Sequence, residues 1–406
     1  MAIARKALII GGGIIGVTSA YALARNGWAV TIVESEPQVA RGASLGNGRQ
    51  LSYSHTNALA SPALLPQMPS LLLGHDDAFR INLRPSLPFA MWLMRFLGNC
   101  TRRAFRANTL ACLQLAQESR AAMDDLLDQH PIAFNQRKAG KLVLLRCEQE
   151  LLAAEASTQL RQSAGAELEL VSPEQACEIE PALAHGPEQL AGAIYSPADE
   201  TGDCSHFAAE LLDLLQRSYG VTFLGGNSVN RIARQAQGWR VQHEDGSELE
   251  SDHVLLTTGH QANHLLAPLG LAQPIQSMKG YSFTAPIGIA APALSITDNA
   301  RRIVFTNLGE HMLIAGIADM GDASKQVDPQ RLAVMRRAAQ ASLPYAADYD
   351  AVDEGWAGHR PMTPDSLPII KQLAPGLFAN LGHGMLGWTL AMGSAERLAR
   401  LLGRPT

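Results

Sequence analysis

The sequence predicts an α/β protein in which a doubly wound parallel sheet is interleaved with an α+β domain built on a mainly antiparallel sheet. Three observations carry that prediction. Residues 7–34 read strand, GxGxxG, helix, strand, acid, the order and length of a dinucleotide-binding βαβ unit. Asp252–Thr258 gives another buried strand, ending at Gly259, and Met385–Leu402 gives a closing helix. Between these, Pro274–Ile317 alternates in character and is rich in β-branched residues and turn formers, the pattern of an antiparallel sheet.

The N-terminal unit is the strongest local signal. Ala7–Ile10 is a short apolar run bounded by Lys6 and Gly11. In the Rossmann-like turn that follows, Gly11 permits a tight bend and Gly13 lets the backbone approach a pyrophosphate. Gly16 lets the helix Val17–Arg25 pack closely on the strand. Gly11, Gly13, Ile14, Ile15 and Gly16 are therefore candidate cofactor contacts, since unpaired N–H groups at a helix start favour phosphate. Val30–Val33 is the second strand. Glu34 lies 18 residues after Gly16, where a carboxylate accepts hydrogen bonds from an adenosine ribose and repels a 2′-phosphate, which argues against NADP. The motif itself does not choose between NAD and FAD, which share the ADP moiety.

Further along, Asn108–His130 and Glu148–Ser163 have helical spacing and flank the strand-like Lys141–Leu145. Asp203–Tyr219 reads as a helix leading into the strand Val221–Leu224. Trp239–His243 and Glu248–Glu250 flank Asp245-Gly246, a hairpin turn signal. Arg331–Ser342 is helical. The expected division is a cofactor domain of residues 1–84, 199–268 and 350–406, and a substrate domain of 85–198 and 269–349.

Composition narrows the function. The 406 residues hold 33 Lys and Arg against 38 Asp and Glu, with 47% hydrophobic residues, so disorder is excluded and general nucleic-acid binding is disfavoured. Cys100, Cys112, Cys147, Cys177 and Cys204 are odd in number and contain no CxxC pair, which excludes a disulfide framework and a thiolate zinc site. That usage fits a reducing compartment. Without a secretion-type start or a long apolar run, a cytoplasmic location is expected. His260 and His264 are spaced i, i+4, but Gln261-Ala262-Asn263 between them supplies no glutamate base, and no metal is assigned.

One segment departs from the acidic average. Residues 78–117 contain no acid and six arginines, Arg80, Arg84, Arg95, Arg102, Arg103 and Arg106, around the apolar Leu87–Leu97. Such a segment either docks on an anionic membrane surface or buries its apolar residues against the substrate domain.

Four further blocks carry a family resemblance: Ala198–Cys204 (ADETGDC), Met278–Ser282 (MKGYS), Gly358–Asp365 (GHRPMTPD) and Gly382–Thr389 (GHGMLGWT). With the N-terminal unit, they make the chain resemble FAD-dependent D-amino acid dehydrogenases, within the wider group of D-amino acid oxidase, glycine oxidase and sarcosine oxidase. The resemblance implies FAD as cofactor and oxidation of a D-amino acid to an imino acid, which hydrolyses to a 2-oxo acid and ammonia. It also implies electron delivery to a quinone or other non-oxygen acceptor, consistent with a peripheral position on the inner face of a membrane. A D-proline or D-hydroxyproline dehydrogenase, an oxygen-using oxidase of the same fold and a non-catalytic FAD-binding subunit remain as alternatives.

The same resemblance implies roles for individual residues. Flavin N5 does the chemistry and no side chain is assigned as a catalytic base. Arg360 matches the arginine that pairs with the substrate carboxylate. Tyr281 either hydrogen-bonds the substrate or fills a sheet face. Ser44, Asn47 and Gln50 lie in the stretch that passes the pyrophosphate and isoalloxazine, although Asn47-Gly48-Arg49 stands where an Asn-Ala-Gly-like triplet is usual. Tyr53 and His55 follow as pocket candidates, with a loop histidine the other reading of His55. Val229 matches a position whose backbone meets adenine. Gly259 ends the second flavoprotein strand, where Thr257 replaces a more usual alanine. Gly384, Met385, Leu386 and Gly387 open the last helix, whose N-terminus stabilises negative charge near N1 and C2=O of a reduced flavin. His383 shapes that turn.

Overall fold

The computed structural model describes residues 5–72, 76–82, 86–186 and 190–403. Its first sheet has six strands in the order Ile369–Ala374, Leu377–Leu381, His253–Leu256, Lys6–Ile10, Ala29–Val33, Thr222–Leu224. All neighbours are parallel except the Ile369–Ala374 edge. The central strands are short apolar runs because helices cover both faces, so no polar alternation is needed. Lys6–Ile10 pairs Ala29–Val33 on one side and His253–Leu256 on the other. Strand order therefore reverses at Lys6–Ile10, which opens a crevice at the carboxyl ends of these parallel strands.

The helix Ile14–Ala24 buries ten of its eleven residues, which explains why it shows no amphipathic stripe. It packs among Cys204–Tyr219 and Gly387–Leu402, with Phe207, Leu211, Trp388, Ala391 and Leu398 in the shared core. Gly387–Leu402 also crosses the long helix Arg102–Gln129 at Gly393, where a Cβ would stand 2.7 Å from Leu115 O. That long helix begins six residues before the expected Asn108. Thr101 Oγ1 caps it by accepting from Ala104 N at 3.2 Å, and the polar first turn hides this start from hydrophobic periodicity.

The second sheet runs Trp356–Met362, Gln276–Pro286, His311–Met320, Ile303–Asn307, Ser295–Asp298, Lys141–Leu145, Gly192–Ser196, Glu169–Val171, with Phe79–Ile81 also paired to His311–Met320. It is antiparallel apart from the Ser295–Asp298/Lys141–Leu145 and Phe79–Ile81 pairings. Two segments expected with the parallel sheet join this one instead. Trp356–Met362 pairs along its whole length with Gln276–Ser282, and Phe79–Ile81 pairs with Ala318–Met320. Short strands with a free neighbour edge go where backbone partners exist, whatever the domain order of their flanks.

The arginine-flanked segment forms the helix Leu87–Asn99 and divides by face. Phe89, Trp92 and Phe96 bury against Met278, Met320 and Met362, and Trp92 Nε1 donates to Met362 O at 3.0 Å. Leu87 (73% exposed), Met91 and Met94 form an outward stripe. The burial alternative thus holds for one face of this helix, and the other face is exposed. Arg84 lies outside the described residues. No helix among the described residues is long and apolar enough to cross a membrane.

The tightest point of the parallel domain is the Gly16 position, where a Cβ would overlap Gly11 O. Gly16→Ala should destabilise the fold by about 1–3 kcal/mol through overpacking and release the cofactor. A thermal scan and the flavin-to-protein absorbance ratio check this; an unchanged ratio would refute the close-packing role.

Candidate cofactor and substrate site

The glycine turn is held from three directions. Gly11, at φ +106°, donates to Val33 O at 2.8 Å. Thr257 Oγ1 donates to Ile10 O and Gly11 O at 2.9 and 2.8 Å. The threonine found where alanine is usual therefore ties the glycine turn to the neighbouring strand. Glu34 accepts from Gly12 N at 2.5 Å, from Ser35 Oγ at 2.8 Å and from Glu36 N at 3.0 Å, which fixes its carboxylate at the strand end. Ile14 N donates to Ser44 Oγ at 3.1 Å, so Ser44 closes the helix start beside Gly13. Asn227 N donates to Glu34 O at 2.8 Å, which brings the turn before Val229 to the same rim. Gly259, at φ +57°, has nothing within 4 Å of a Cβ position.

From this rim, residues 46–52 cross the face of the large sheet and are laced to it strand by strand. Ser282 Oγ donates to Gly46 O at 3.0 Å and Thr306 Oγ1 to Gly48 O at 2.8 Å. Gln50 Nε2 donates to Ser295 Oγ at 2.6 Å and Thr297 Oγ1 at 3.3 Å. Lys141 Nζ donates to Gln50 Oε1 at 3.1 Å and Ser52 Oγ at 2.9 Å. Ser52 N then donates to Thr389 Oγ1 at 3.0 Å, in the first turn of the last helix. Asn47 Oδ1 accepts from Arg49 N at 2.8 Å. Arg49 takes the left-handed conformation, φ +54°, that a glycine in the usual triplet would adopt freely, and its guanidinium pairs with Asp203 at 3.0 Å.

At the opposite end of this face stand Arg360 and the GHG turn. Arg360 pairs in register with Met278, and its guanidinium lies over Gly280, where any Cβ would collide with it. Gly358 similarly makes room for the Trp356 indole, which also covers Gly46. Among the described residues no carboxylate meets Arg360; its hydrogen bond is a long one of 3.5 Å to Ile317 O. Burial pushes the guanidinium down to about 10, so it stays cationic. Ile317 itself has φ +36°, at a bulge in the pairing of His311–Met320 with Gln276–Pro286. A β-branched residue there stores backbone strain of roughly 1–3 kcal/mol. His383 is buried with Nε2 unpartnered, and burial pushes it down to about 3, so the imidazole is neutral. Gly384–Leu386 forms one 3₁₀ turn before the α-helix starts at Gly387, with Met385 52% exposed at the rim.

Three expected pocket residues are engaged elsewhere. Tyr281 alternates with Gly280 and so faces the other side of the sheet. There its hydroxyl donates to Asp319 at 2.7 Å, and Asp319 pairs with the buried Arg331 at 2.8 Å. The sheet-filling alternative for Tyr281 is the observed one. Tyr53 packs into the helix-layer core with Phe134, Phe207 and Trp388. His55 Nδ1 meets Arg161 Nη1 at 2.9 Å, and burial, Arg161 and Lys141 all lower its pKa, keeping it neutral. The period-2 alternation of a strand sets Tyr281 aside, and prior hydrogen bonding sets His55 aside. Sequence reading missed Trp356 and Lys141. The glycines at 46, 280 and 358 signal the close packing of Trp356 and Arg360, but only once the strands are aligned.

A glycine turn at a strand crevice, a fixed acid at the end of the second strand and an arginine without an acid partner over a glycine-lined floor together make up the candidate cofactor and substrate site. The FAD dependent oxidoreductase family model (DAO) matches residues 6–401. The chain is 37% identical over 407 residues to a protein named D-amino acid dehydrogenase 2 from Pseudomonas aeruginosa, covering 99% of this chain and 95% of that one. It is 36% identical over 412 residues to the D-amino acid dehydrogenase 2 of Ralstonia nicotianae, covering 98% and 96%. The glycine oxidase structure from Geobacillus kaustophilus superposes with TM-score 0.76 at 21% identity, covering 99% of this chain and 96% of that one. The chain belongs to the FAD dependent oxidoreductase family, and FAD is its cofactor.

The residues present fit that group. Gly42 and Gly259 leave open space beside the rim, and Thr258 Oγ1 and His383 Nε2 are buried polar atoms without a partner. Behind the crossing loop, burial lowers Lys141 to about 8 from 10.5, with Asp199 opposing the shift. Between those values the unfolded chain holds this proton more tightly than the folded chain. Stability from this group therefore rises with pH from about 8 to 10.5. Lys141→Met should remove about 1–3 kcal/mol of that rise in urea titrations; parallel pH curves for the two proteins would show that Lys141 is not a buried charge.

Proposed function

We propose that this chain is a D-amino acid dehydrogenase that converts D-amino acids to 2-oxo acids and ammonia and passes electrons to a quinone or other non-oxygen acceptor. The observation that carries the reading is the unpaired Arg360 guanidinium above Gly280. A half-buried cation without an anion beside it is unfavourable unless a ligand supplies the charge. A guanidinium fork suits a carboxylate bidentately. FAD, when bound, accepts the hydride that leaves the substrate Cα.

Arg360 then holds the carboxylate and fixes which face of Cα is presented. Gly280 and Gly358 keep the floor flat enough for that approach, while the strained Ile317 carbonyl orients the guanidinium from behind. Among the described residues the apolar wall next to Arg360 is Met278, Met320 and Met362 under Trp92 and Phe96. Exclusion of water by that wall strengthens the ion pair. The neutral His383 and the N–H groups of Gly384–Gly387 favour negative charge at the far end of the cofactor. The amine must be neutral when hydride leaves, so its lone pair forms the imine; water then adds and ammonia departs. The candidate cofactor residues are those of the glycine turn, Glu34, Ser44, Asn47, Gln50, Val229, Gly259 and 384–387.

Arg360→Ala should raise KM for D-amino acids about 100-fold or more, because one member of a desolvated ion pair is worth roughly 2–5 kcal/mol. Flavin content should not change. Anaerobic bleaching of the bound flavin by a panel of D-amino acids tests the reaction itself, and a wild-type KM in the variant would sink the carboxylate assignment.

The electron acceptor reading rests on a separate surface. Leu87, Met91 and Met94 are exposed on one helix face, and Arg95, Arg102, Arg103 and Arg106 are exposed beside them. Residues 78–117 contain no acid to oppose an anionic headgroup layer. That complementarity supports peripheral docking on an anionic membrane, where a quinone is available. Wild-type protein should sediment with phosphatidylglycerol vesicles in a salt-sensitive way, and Met91→Glu with Met94→Glu should stay in the supernatant. Equal partitioning of the two proteins would remove the docking surface.

A further inference from the structure

Behind residues 46–55 two buried cations stand without an ion pair of their own. Lys141 is 5% exposed, Arg161 1% and Asp199 0%. Asp199 spends its oxygens on Ser54 N at 2.7 Å and His55 N at 3.3 Å. Arg161 is held by Ser157 O at 3.1 Å and the His55 ring, and Lys141 by the neutral oxygens of Gln50 and Ser52. The other buried carboxylate of this region, Glu200, is taken by Gln136 Nε2 and by Lys138 at 3.7 Å; among the described residues, Lys141 and Arg161 are left facing Asp199, with His55 neutral, and no ion pair within 4.0 Å joins Lys141 to an acid. Excess buried positive charge is unfavourable in the resting protein and calls for an anion.

The position of Lys141 says which anion. Its partners Gln50 and Ser52 belong to the loop that follows Asn47, and both are bonded to Thr389: Ser52 N donates to Thr389 Oγ1 at 3.0 Å, and Thr389 Oγ1 donates to Gln50 O at 3.4 Å. Thr389 lies two residues past Gly387, in the helix whose N-terminal turn is a candidate cofactor contact. The substrate carboxylate has Arg360 on another part of the face. We propose that Lys141 is an electrostatic positioning residue for the flavin, held by Gln50 and Ser52 behind the last helix, where its ammonium stabilises the negative charge that two-electron reduction places on the cofactor. This assignment rests on the proposed placement of FAD along the crossing loop and last helix.

Substitutions separate charge from hydrogen bonding. Lys141→Arg keeps the charge, Lys141→Gln keeps polar contact to Gln50 and Ser52 without charge, and Lys141→Met removes both. The holoenzymes are equilibrated with redox dyes at pH 7 and titrated with sulfite, whose flavin adduct is anionic. Lys141→Gln and Lys141→Met should each disfavour reduction about tenfold, which is about 30 mV lower for a two-electron couple, and should bind sulfite about tenfold more weakly. Lys141→Arg should stay within about threefold of wild type. Wild-type potentials in Lys141→Gln, or an equal loss in Lys141→Arg, would overturn the proposal, and Lys141→Gln decides it if Lys141→Met yields no holoenzyme. A wild-type chain whose flavin no D-amino acid reduces would instead defeat the functional reading, while dye and sulfite titrations still report on Lys141.

Discussion

The site depends on the lacing of residues 46–52 to the large sheet. The parallel domain alone supplies a glycine turn, the carboxylate of Glu34 and a helix start, the candidate cofactor residues, but no candidate for the substrate. The antiparallel domain alone supplies Arg360 on a floor of glycines. The serines, threonines and lysine of four strands of this sheet fix the crossing loop at Gly46 O, Gly48 O, Gln50 and Ser52. Each such bond contributes only about 1 kcal/mol. Together they set the distance between the two halves, because the loop leaves the cofactor rim at Ser44 and cannot shift on the sheet without breaking several bonds at once.

Polar residues on a buried sheet face would ordinarily weaken the core. Here every one of the lacing side chains has a partner in the loop, so desolvation is offset by hydrogen bonds. The other face of the same sheet is packed conventionally with Tyr281, Phe283, Phe305 and Ile314 under the helix Pro329–Ser342. One sheet therefore has a structural side and a functional side. Period-2 alternation decides which side each residue serves, and adjacent residues such as Gly280 and Tyr281 end in different roles.

That alternation also explains what could be read from sequence. The βαβ unit was legible because its spacing is local: Gly11, Gly13, Gly16 and Glu34 act within one turn and one strand. Lys141–Leu145 and Trp239–His243 were legible because a run of apolar or alternating residues bounded by turns has one natural reading. The sheet membership of Trp356–Met362 was not legible, since strand pairing over 80 residues leaves no local mark. Nor was the face of Tyr281, which required the register with Asp319. Lys141 looked like an ordinary strand boundary residue; its burial depends on Gln50, Ser52 and Asp199, three residues remote in sequence.

The arginines drawn out of solvent differ in what neutralises them. Arg331 meets Asp319 at 2.8 Å, and Arg146 meets Asp298 at 2.7 Å with Ser342 beside it. Both are neutralised within the fold and hold strands to helices. Arg161 is shared between a neutral imidazole and a carbonyl, near Asp199. Arg360 has only a long contact to a strained carbonyl. A guanidinium drawn out of water without an acid beside it is the charge that the proposed carboxylate ligand would neutralise. An aspartate placed opposite Arg360 would neutralise it within the fold, as Asp319 neutralises Arg331, and would leave it no charge to offer the carboxylate proposed for it.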